Sequence, residues 1–311
     1  MNVLVTGATG FVGRRLVASL LEQGHAVTGL TRSPEKATSR VKGVQFLGWN
    51  PGEPVPPDAV RAADAIVSLA GESVNGRWSE AKKARIMDTR VQGTRALVDA
   101  IAAAGGNKVL ISTSAVGYYG DRGDEVLTES SAPGEGFLME VSRRWEDEAT
   151  ASERHGTRVA ILRFGIVLGP EGGGLGKMLP LAKMGINGPL GSGRQWWPVI
   201  HIDDVVRAIE AALAHDNYRG VYNVVGPEPV RQKDFARTLG RVIGRPAVLP
   251  TPAFALRMVQ GEFADEILFS KRVLPQRLLE AGFQFDHPDL EASLQNLLAK
   301  EAKREDVPAH A

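Results

Sequence analysis

The chain has no cysteine among its 311 residues. That absence excludes a disulfide framework, a thiolate zinc site, an iron–sulfur cluster and a cysteine nucleophile. An excess of either charge is also missing, with 37 Lys and Arg against 36 Asp and Glu and a net charge of +1. Dedicated nucleic-acid binders carry a concentrated basic surplus, so no nucleic-acid partner is expected. No window approaches the roughly 20 apolar residues needed to cross a bilayer, and no membrane partner is expected either. The apolar start at Val3–Val5 lacks a basic leader and soon runs into glycines, unlike a targeting segment. With the missing disulfides, this reads as a cytoplasmic protein. The 6 histidines are scattered without ligand spacing, so no metal site is expected. No internal repeat is visible.

What is present is ordinary globular material, 43% hydrophobic and 23% charged. The first half alternates strand and helix patterns. Asn2–Thr6 is a short apolar run ending at a glycine loop, as a buried parallel strand does. Val12, Leu16, Val17, Leu20 and Leu21 follow at helical spacing, and Gly24 supplies a stop. Ala26–Leu30 reads as the second strand and Ala65–Leu69 as the third, after the Pro-rich loop Pro51–Pro57. Ser79–Ala104 and Phe137–Arg154 are helical patterns, with strands at Lys108–Ser112 and Val159–Arg163. This alternation predicts a parallel sheet covered on both faces by right-handed crossovers. Beyond Gly165 the texture changes: Pro170–Gly176 and Gly185–Gly193 are glycine-rich and read as loops over a pocket. Trp196–Ile202 and Val221–Val225 look like later strands around a helix at Val205–Ala214, and Gln232 to about Ala299 is mainly helical.

The fold class is therefore α/β: a Rossmann-type doubly wound parallel sheet with a smaller, mainly helical C-terminal lobe. Residues 1–167, completed by about 199–225, form the nucleotide-binding domain. Residues 168–198 and 226–299 form a cap over the substrate, and the charged stretch 300–311 reads as a flexible tail.

The segment Thr6-Gly7-Ala8-Thr9-Gly10-Phe11-Val12-Gly13 joins the first strand to the first helix. Gly7 permits a tight turn, Gly10 lets the backbone approach a pyrophosphate, and Gly13 allows close helix–sheet packing. The helix start offers unpaired N–H groups and a positive dipole end to phosphates. A bare glycine trio is weak evidence; this one is set between a strand and a helix, which makes it specific. An NAD-preferring site usually places an acid at the end of the second strand. Here the strand runs Leu30-Thr31-Arg32 with no acid. Arg32 suits a 2′-phosphate, helped by the Thr31 hydroxyl, or else it is a solvated surface arginine.

With these landmarks the chain resembles the extended short-chain dehydrogenase/reductase superfamily of NAD-dependent epimerases and dehydratases. Ser68-Leu69-Ala70-Gly71 resembles the wall of the adenosine side, and Ser112-Thr113-Ser114 the strand end carrying the active-site serine, which maps to Ser114. His201-Ile202-Asp203-Asp204-Val205 resembles a late aspartate motif. Arg77-Trp78, Asp88-Thr89-Arg90-Val91, Trp145-Glu146 and Gly191-Ser192-Gly193 resemble the narrower "epimerase family protein" branch. That branch's characteristic C-terminal domain is matched by Lys271-Arg272-Val273-Leu274-Pro275 and Gly282-Phe283-Gln284-Phe285. The resemblance implies NADP(H) as cofactor, with the glycine loop (Gly7, Thr9, Gly10, Phe11, Val12, Gly13) on the phosphates. It also implies contacts from Thr31, Arg32, Leu69, Ala70, Gly71, Arg85 and Arg90. Arg85 and Arg90 could instead lie on the solvated side of a helix rich in lysine.

The superfamily's proton donor is a tyrosine four residues before a lysine. Aligned on Trp145-Glu146, those two places hold Leu138 and Ser142, and a shift of one gives Phe137 and Val141. Neither pair transfers a proton. Tyr118 and Tyr119 follow Ser114 and could bring a phenol to the site, or could pack beneath it. Ser114 and Tyr118 are the candidate catalytic residues. His201 could shuttle a proton or be structural, and Asp203 and Asp204 fit the capping of the next helix. Trp196 and Trp197 either wall a pocket or pack between lobes. The expected function is an NADP(H)-binding oxidoreductase or epimerase-like protein acting on a small carbonyl or sugar-type substrate without the usual dyad. The competing expectation is a non-catalytic NADP(H)-binding sensor or scaffold.

Overall fold

A computed structural model describes residues 1–38 and 41–305. Seven parallel strands form the central sheet, in the order Gly220–Val224, Arg158–Phe164, Val109–Ala115, Ala65–Ser68, Asn2–Thr6, Ala26–Thr31, Gln45–Gly48. The chain winds outward from Asn2–Thr6 in one direction, then crosses back to Ala65–Ser68 and winds in the other. Such a reversal opens a crevice at the carboxyl ends of the two central strands, where ligands of doubly wound sheets enter. Thr6 lies in register with Leu30 on one side and Ser68 on the other, so the glycine turn begins at the mouth of that crevice.

Strand residues alternate between two cores, as the two-residue period of a strand requires. Val3, Val5, Val67, Ile111, Ala160 and Leu162 pack on one face, with Leu16, Val17 and Leu20 of helix Phe11–Glu22 and Val205, Val206 and Ile209 of helix Ile202–Ala214. Leu4, Ile66, Leu110 and Ile161 point to the other face and meet Leu97, Val98 and Ile101 of helix Glu80–Ala103. Ser79 caps that helix by accepting a hydrogen bond from Lys82 N. A third core holds the cap together around Leu175, Leu179, Trp197, Phe235, Leu239, Leu294 and Leu297.

Two elements differ from the sequence reading. Gln45–Gly48 is an edge strand that the pattern did not reveal, because only Phe46 of its residues is buried. Gly173–Lys183, whose start falls within the Pro170–Gly176 stretch expected to be loop, is a helix with Pro180 inside it. Its glycines lower helix propensity, and burial of Leu175, Leu179 and Ala182 supplies what propensity lacks. Three short strand pairs lie outside the central sheet: Ile166–Gly169 with Val199–His201, Trp196–Trp197 with Val230–Arg231, and Val126–Leu127 with Arg272–Val273. The last helix, Leu290–Glu305, runs into the stretch expected to be tail, and 306–311 lie outside the described residues. Among the described residues, no helix is long and apolar enough to cross a membrane.

Phe235 is fully buried at the centre of the cap core, whereas Phe254 is 67% exposed. Phe235→Ala is expected to cost about 3–5 kcal/mol. Phe254→Ala should stay within about 0.5 kcal/mol of the parent. Denaturant unfolding of the two variants checks the contrast.

Candidate functional site

The glycine turn has the form its sequence requires. Gly7 adopts φ +68°, in the left-handed region. Its carbonyl accepts from Gly10 N at 2.9 Å, and the Gly10 carbonyl accepts from Arg14 N at 3.0 Å. A Cβ on Gly13 would lie 2.1 Å from the Gly7 oxygen, so only glycine lets the helix come this close. Gly10 is the N-cap of helix Phe11–Glu22 and offers no side-chain cap, which leaves the helix start open for an anion. Thr6 Oγ1 accepts from the amides of Leu69 and Ala70, both at 3.1 Å, and ties the turn to the end of strand Ala65–Ser68. The Phe11 ring lies against Gly169, Gly172 and Gly173, where a Cβ would come within 2.5, 2.7 and 2.9 Å of it. The cap is thereby seated on the turn.

At the end of strand Ala26–Thr31, Thr31 is half-buried and Arg32 exposed. No carboxylate lies within ion-pair distance of Arg32 among the described residues. A guanidinium without a protein counter-ion can receive a phosphate.

The structure separates Arg85 from Arg90. Arg85 is exposed and reaches only the Glu72 carboxylate, at 4.0 Å. Arg90 turns inward. Its Nη1 donates to the carbonyls of Glu72 at 2.9 Å and Ile86 at 3.1 Å, and its guanidinium lies 5.2 Å from the centre of the Trp145 ring. Burial pushes its pKa down to about 10 against the opposing charge of Glu72. A Cβ on Gly71 would meet the Arg90 Cζ at 2.9 Å, so Gly71 lets the segment Leu69–Gly71 rest on the guanidinium. Next to it, Trp78 packs between Phe137 and Phe263.

Ser114 ends inside a buried polar chain that the sequence reading did not assemble. Ser114 Oγ donates to Glu146 Oε1 at 2.6 Å. Arg163 holds the same carboxylate with two bonds, Nε to Oε1 at 2.8 Å and Nη2 to Oε2 at 2.7 Å. The bonds from Glu146 outweigh the cost of burial and raise the Arg163 pKa further. Arg163 Nη1 also donates to the Tyr119 hydroxyl at 2.9 Å, and that hydroxyl lies 2.7 Å from Asn223 Oδ1 and 3.0 Å from the Thr128 carbonyl. Burial pushes Tyr119 up to about 12. That fully engaged phenol is structural. The Tyr118 ring, half-buried, stacks on the Arg163 guanidinium with 3.5 Å from Cζ to the ring centre. Arg163 was the missed signal: a lone cation inside the apolar run Val159–Phe164 needs a buried partner.

None of Tyr118, Tyr119, Tyr218 and Tyr222 is followed four residues later by a lysine. Phe137 meets Trp78 edge to face, Leu138 packs against Gly117, and Val141 and Ser142 are buried. Trp197 is buried in the cap core with its ring 5.6 Å from that of Phe235, while Trp196 lies between Arg231 and Arg272.

The expectation of no metal-type grouping needs correction, since His201, Asp203 and His287 bring ligand atoms within 4.8 Å of one another. Histidines far apart in sequence meet because helix Ile202–Ala214 packs beneath the C-terminal segment. The group is nevertheless engaged otherwise. His201 Nδ1 accepts from Asp203 N at 3.0 Å and is itself the N-cap, the place the sequence reading gave to the aspartates. The two ring centres stack 3.7 Å apart, His201 Nδ1 and His287 Nε2 lie 3.9 and 4.0 Å from Asp203 Oδ2, and Asp203 Oδ1 holds Arg15 at 2.8 Å. Asp204 is fully buried and accepts from the amides of Asp286 at 2.8 Å and His287 at 3.1 Å, with its pKa raised by burial.

Comparison with known proteins agrees with this layout. The NAD dependent epimerase/dehydratase family matches residues 3–225, and a domain of unknown function matches 251–297. The chain is 41% identical over 302 residues to an Arabidopsis thaliana protein named epimerase family protein SDR39U1 homolog, chloroplastic, covering 96% of this chain and 87% of that one. It is 36% identical to the epimerase family protein YfhF of Bacillus subtilis, covering 96% and 98%. Among solved structures, human epimerase family protein SDR39U1 (isoform 2) with NADPH superposes with a TM-score of 0.85 at 32% identity, covering 96% of this chain and 99% of that one.

The buried chain makes a prediction about stability. Arg163→Met leaves the Glu146 carboxylate buried without a counter-ion and is expected to cost about 3–5 kcal/mol. Adding Glu146→Leu removes the stranded charge and should recover most of that loss. Urea unfolding of the single and double variants tests it; equal stability of the two would show that the pair is not coupled.

Proposed function

The chain belongs to the NAD-dependent epimerase/dehydratase family, and from that premise we propose that it binds NADP(H) and acts as an oxidoreductase or epimerase-like enzyme on a small carbonyl or sugar-type substrate. The observation that carries the cofactor choice is Arg32, exposed at the end of the second strand with no acid beside it. Support comes from the human relative, which was crystallised with NADPH. Gly7, Thr9, Gly10, Phe11, Val12 and Gly13 would cradle the pyrophosphate at the open helix start. Thr31 and Arg32 would hold the 2′-phosphate. Leu69, Ala70 and Gly71 would wall the adenosine side, with Arg90 bracing that wall from beneath and Arg85 reaching the cofactor from its exposed position. When bound, the nicotinamide supplies hydride chemistry.

The chain's own residues must place the substrate and handle its proton. Ser114 Oγ donates its one hydrogen bond to Glu146, so its lone pairs would accept a hydrogen bond from a substrate hydroxyl. Tyr118 carries the exchangeable phenol proton, with Arg163 as the fixed cation that sequence alone does not place beside it. Residues 168–198 and 226–299 cover the site as a cap that excludes water. A second reading, a non-catalytic NADP(H) sensor, is favoured by one observation: Leu138 and Ser142 stand where the family's tyrosine and lysine belong.

Two measurements separate these readings. NADPH should raise the melting temperature by mass action under either. Following nicotinamide absorbance across a panel of aldehydes, ketones and sugars should give turnover only for the enzyme, and a thermal shift without turnover leaves the sensor. Within the cofactor assignment, Arg32→Ala is expected to weaken NADPH roughly 10- to 100-fold, from the about 1.5–3 kcal/mol of a charge-assisted bond, while NADH changes little. Titration calorimetry giving equal losses for both nucleotides would remove the 2′-phosphate role.

A further inference from the structure

Arg163–Glu146 and Lys271–Glu266 are both buried ion pairs, and they differ in how fully their hydrogen-bonding capacity is used. Arg163 and Glu146 share two bonds, and Ser114 and Tyr119 take up much of what remains. Lys271 and Glu266 share one, from Nζ to Oε2 at 3.1 Å. An ammonium carries three hydrogens and a carboxylate two acceptor oxygens. Among the described residues Nζ reaches no second acceptor, and Glu266 Oε1 accepts from none. The Phe269 ring, its centre 5.1 Å from Nζ, meets the ammonium with a face rather than an acceptor atom. At 7% and 12% exposure these charges have lost most of their water, and one bond replaces little of it. Groups left in that condition are fit to bond a ligand. A pair that only braced the cap would be filled as Arg163 and Glu146 are.

Both walls of the crevice hold the pair in place. Glu266 lies one turn after Phe263 on helix Phe263–Leu268, and Phe263 packs on Trp78 of the loop leaving strand Ala65–Ser68. Lys271 adjoins the loop leaving the neighbouring strand Val109–Ala115. There Ser270 N donates to Asp121 Oδ1 at 2.9 Å, and Arg122 N donates to the Ser270 carbonyl at 3.0 Å. Lys271 and Val273 are buried on one side of their backbone, while Arg272 lies against Trp196 on the other. Val273 belongs to the cluster of Val116, Tyr119 and Leu127 against which Tyr118 packs. Lys271 therefore turns to the side on which Tyr118 lies. Trp78, Phe263 and Phe269 are each half-buried, so few polar groups stand among apolar surface, the composition of a small-molecule site.

We propose that Lys271 and Glu266 contact the substrate from the cap side of the crevice and select a neutral molecule with oxygens on adjacent carbons, as in sugars and hydroxyketones. The inference rests on the reading of the crevice as the substrate site of an NADP(H)-dependent enzyme. Ammonium and carboxylate stand 3.1 Å apart, close to the separation of vicinal oxygens. Nζ donates to one oxygen while Oε1 accepts from the neighbouring hydroxyl. A phosphate or carboxylate placed at the ammonium meets the Glu266 carboxylate beside it, and like charge opposes that placement.

The test is a saturation-transfer NMR titration of the full chain in the presence of NADPH. The neutral probe is xylitol, a vicinal polyol that NADPH cannot reduce further, and the charged probe is ribitol phosphate. Transfer to xylitol, and weaker transfer to ribitol phosphate, is expected. Lys271→Met with Glu266→Leu removes donor and acceptor together and leaves no stranded charge, so the unfolding midpoint and the NADPH thermal shift should stay near parent values. Xylitol binding should weaken roughly 10- to 100-fold, the loss expected for hydrogen bonds to charged groups. Lys271→Met alone strands Glu266 and should lower the unfolding midpoint. Xylitol binding that the double variant leaves intact assigns the pair to stability alone and overturns the proposal. A preference for ribitol phosphate, or no transfer to xylitol in the parent, overturns it as well. The parent's NADPH thermal shift reads the cofactor assignment separately, so its absence and the loss of xylitol selection are distinct failures.

Discussion

One close approach sets the rest of the architecture. At Gly13 the first helix comes so near the glycine turn that a single methyl group would lie 2.1 Å from the Gly7 oxygen. This contact brings the open helix start down onto the end of the first strand, at the point where strand order reverses. It also fixes Phe11, whose ring needs three glycines opposite it. The helix Gly173–Lys183 begins at the last of those glycines, so the position of the cap follows from the position of the turn. The site is therefore a consequence of backbone packing before any side-chain chemistry enters.

Charge is then placed inside at a cost that only pairing makes tolerable. Arg163, Glu146, Ser114, Tyr119 and Asn223 are all buried, and each meets another by a hydrogen bond. A carboxylate held by two guanidinium bonds and one hydroxyl has little freedom to move, and neither has the serine attached to it. Preorganisation of this kind suits a site that orients a bound molecule. The Tyr118 phenol stands apart from that chain, and Arg163 touches it through its ring face rather than through its oxygen.

What could be read in the sequence was local. The glycine turn, the apolar strands around it and the missing acid after Leu30 each occupy a few consecutive residues, and each has the structure expected of it. Interactions between distant residues were not legible. Arg163 finds Glu146 17 residues away and Tyr119 44 residues away, with no pattern linking them. His201 and His287 share a stack only because two helical regions pack together. The edge strand Gln45–Gly48 buries too little to show a period, and Gly173–Lys183 hides a helix under glycines and a proline because its support comes from the cap core. Arg90 reads as a member of a charged helix face, and its inward turn depends on Gly71 and Trp145.

The C-terminal region is bound into the same framework at two points. Asn223, which accepts from Tyr119, donates through Nδ2 to the Leu274 carbonyl at 3.0 Å, and Glu129 Oε1 accepts from the amides of both Asn223 and Arg277. On the other face, Asp204 grips the amides of Asp286 and His287 while its neighbour Asp203 holds Arg15 of the first helix. An unbroken line of hydrogen bonds thus runs from Ser114 to Leu274, while the adjacent Asp203 and Asp204 link the first helix and the segment at His287. The C-terminal region is thereby tied to the sheet and to helix Ile202–Ala214 by buried hydrogen bonds on two faces. In a fold otherwise assembled from short local rules, these two buried ties join segments that are distant in the sequence.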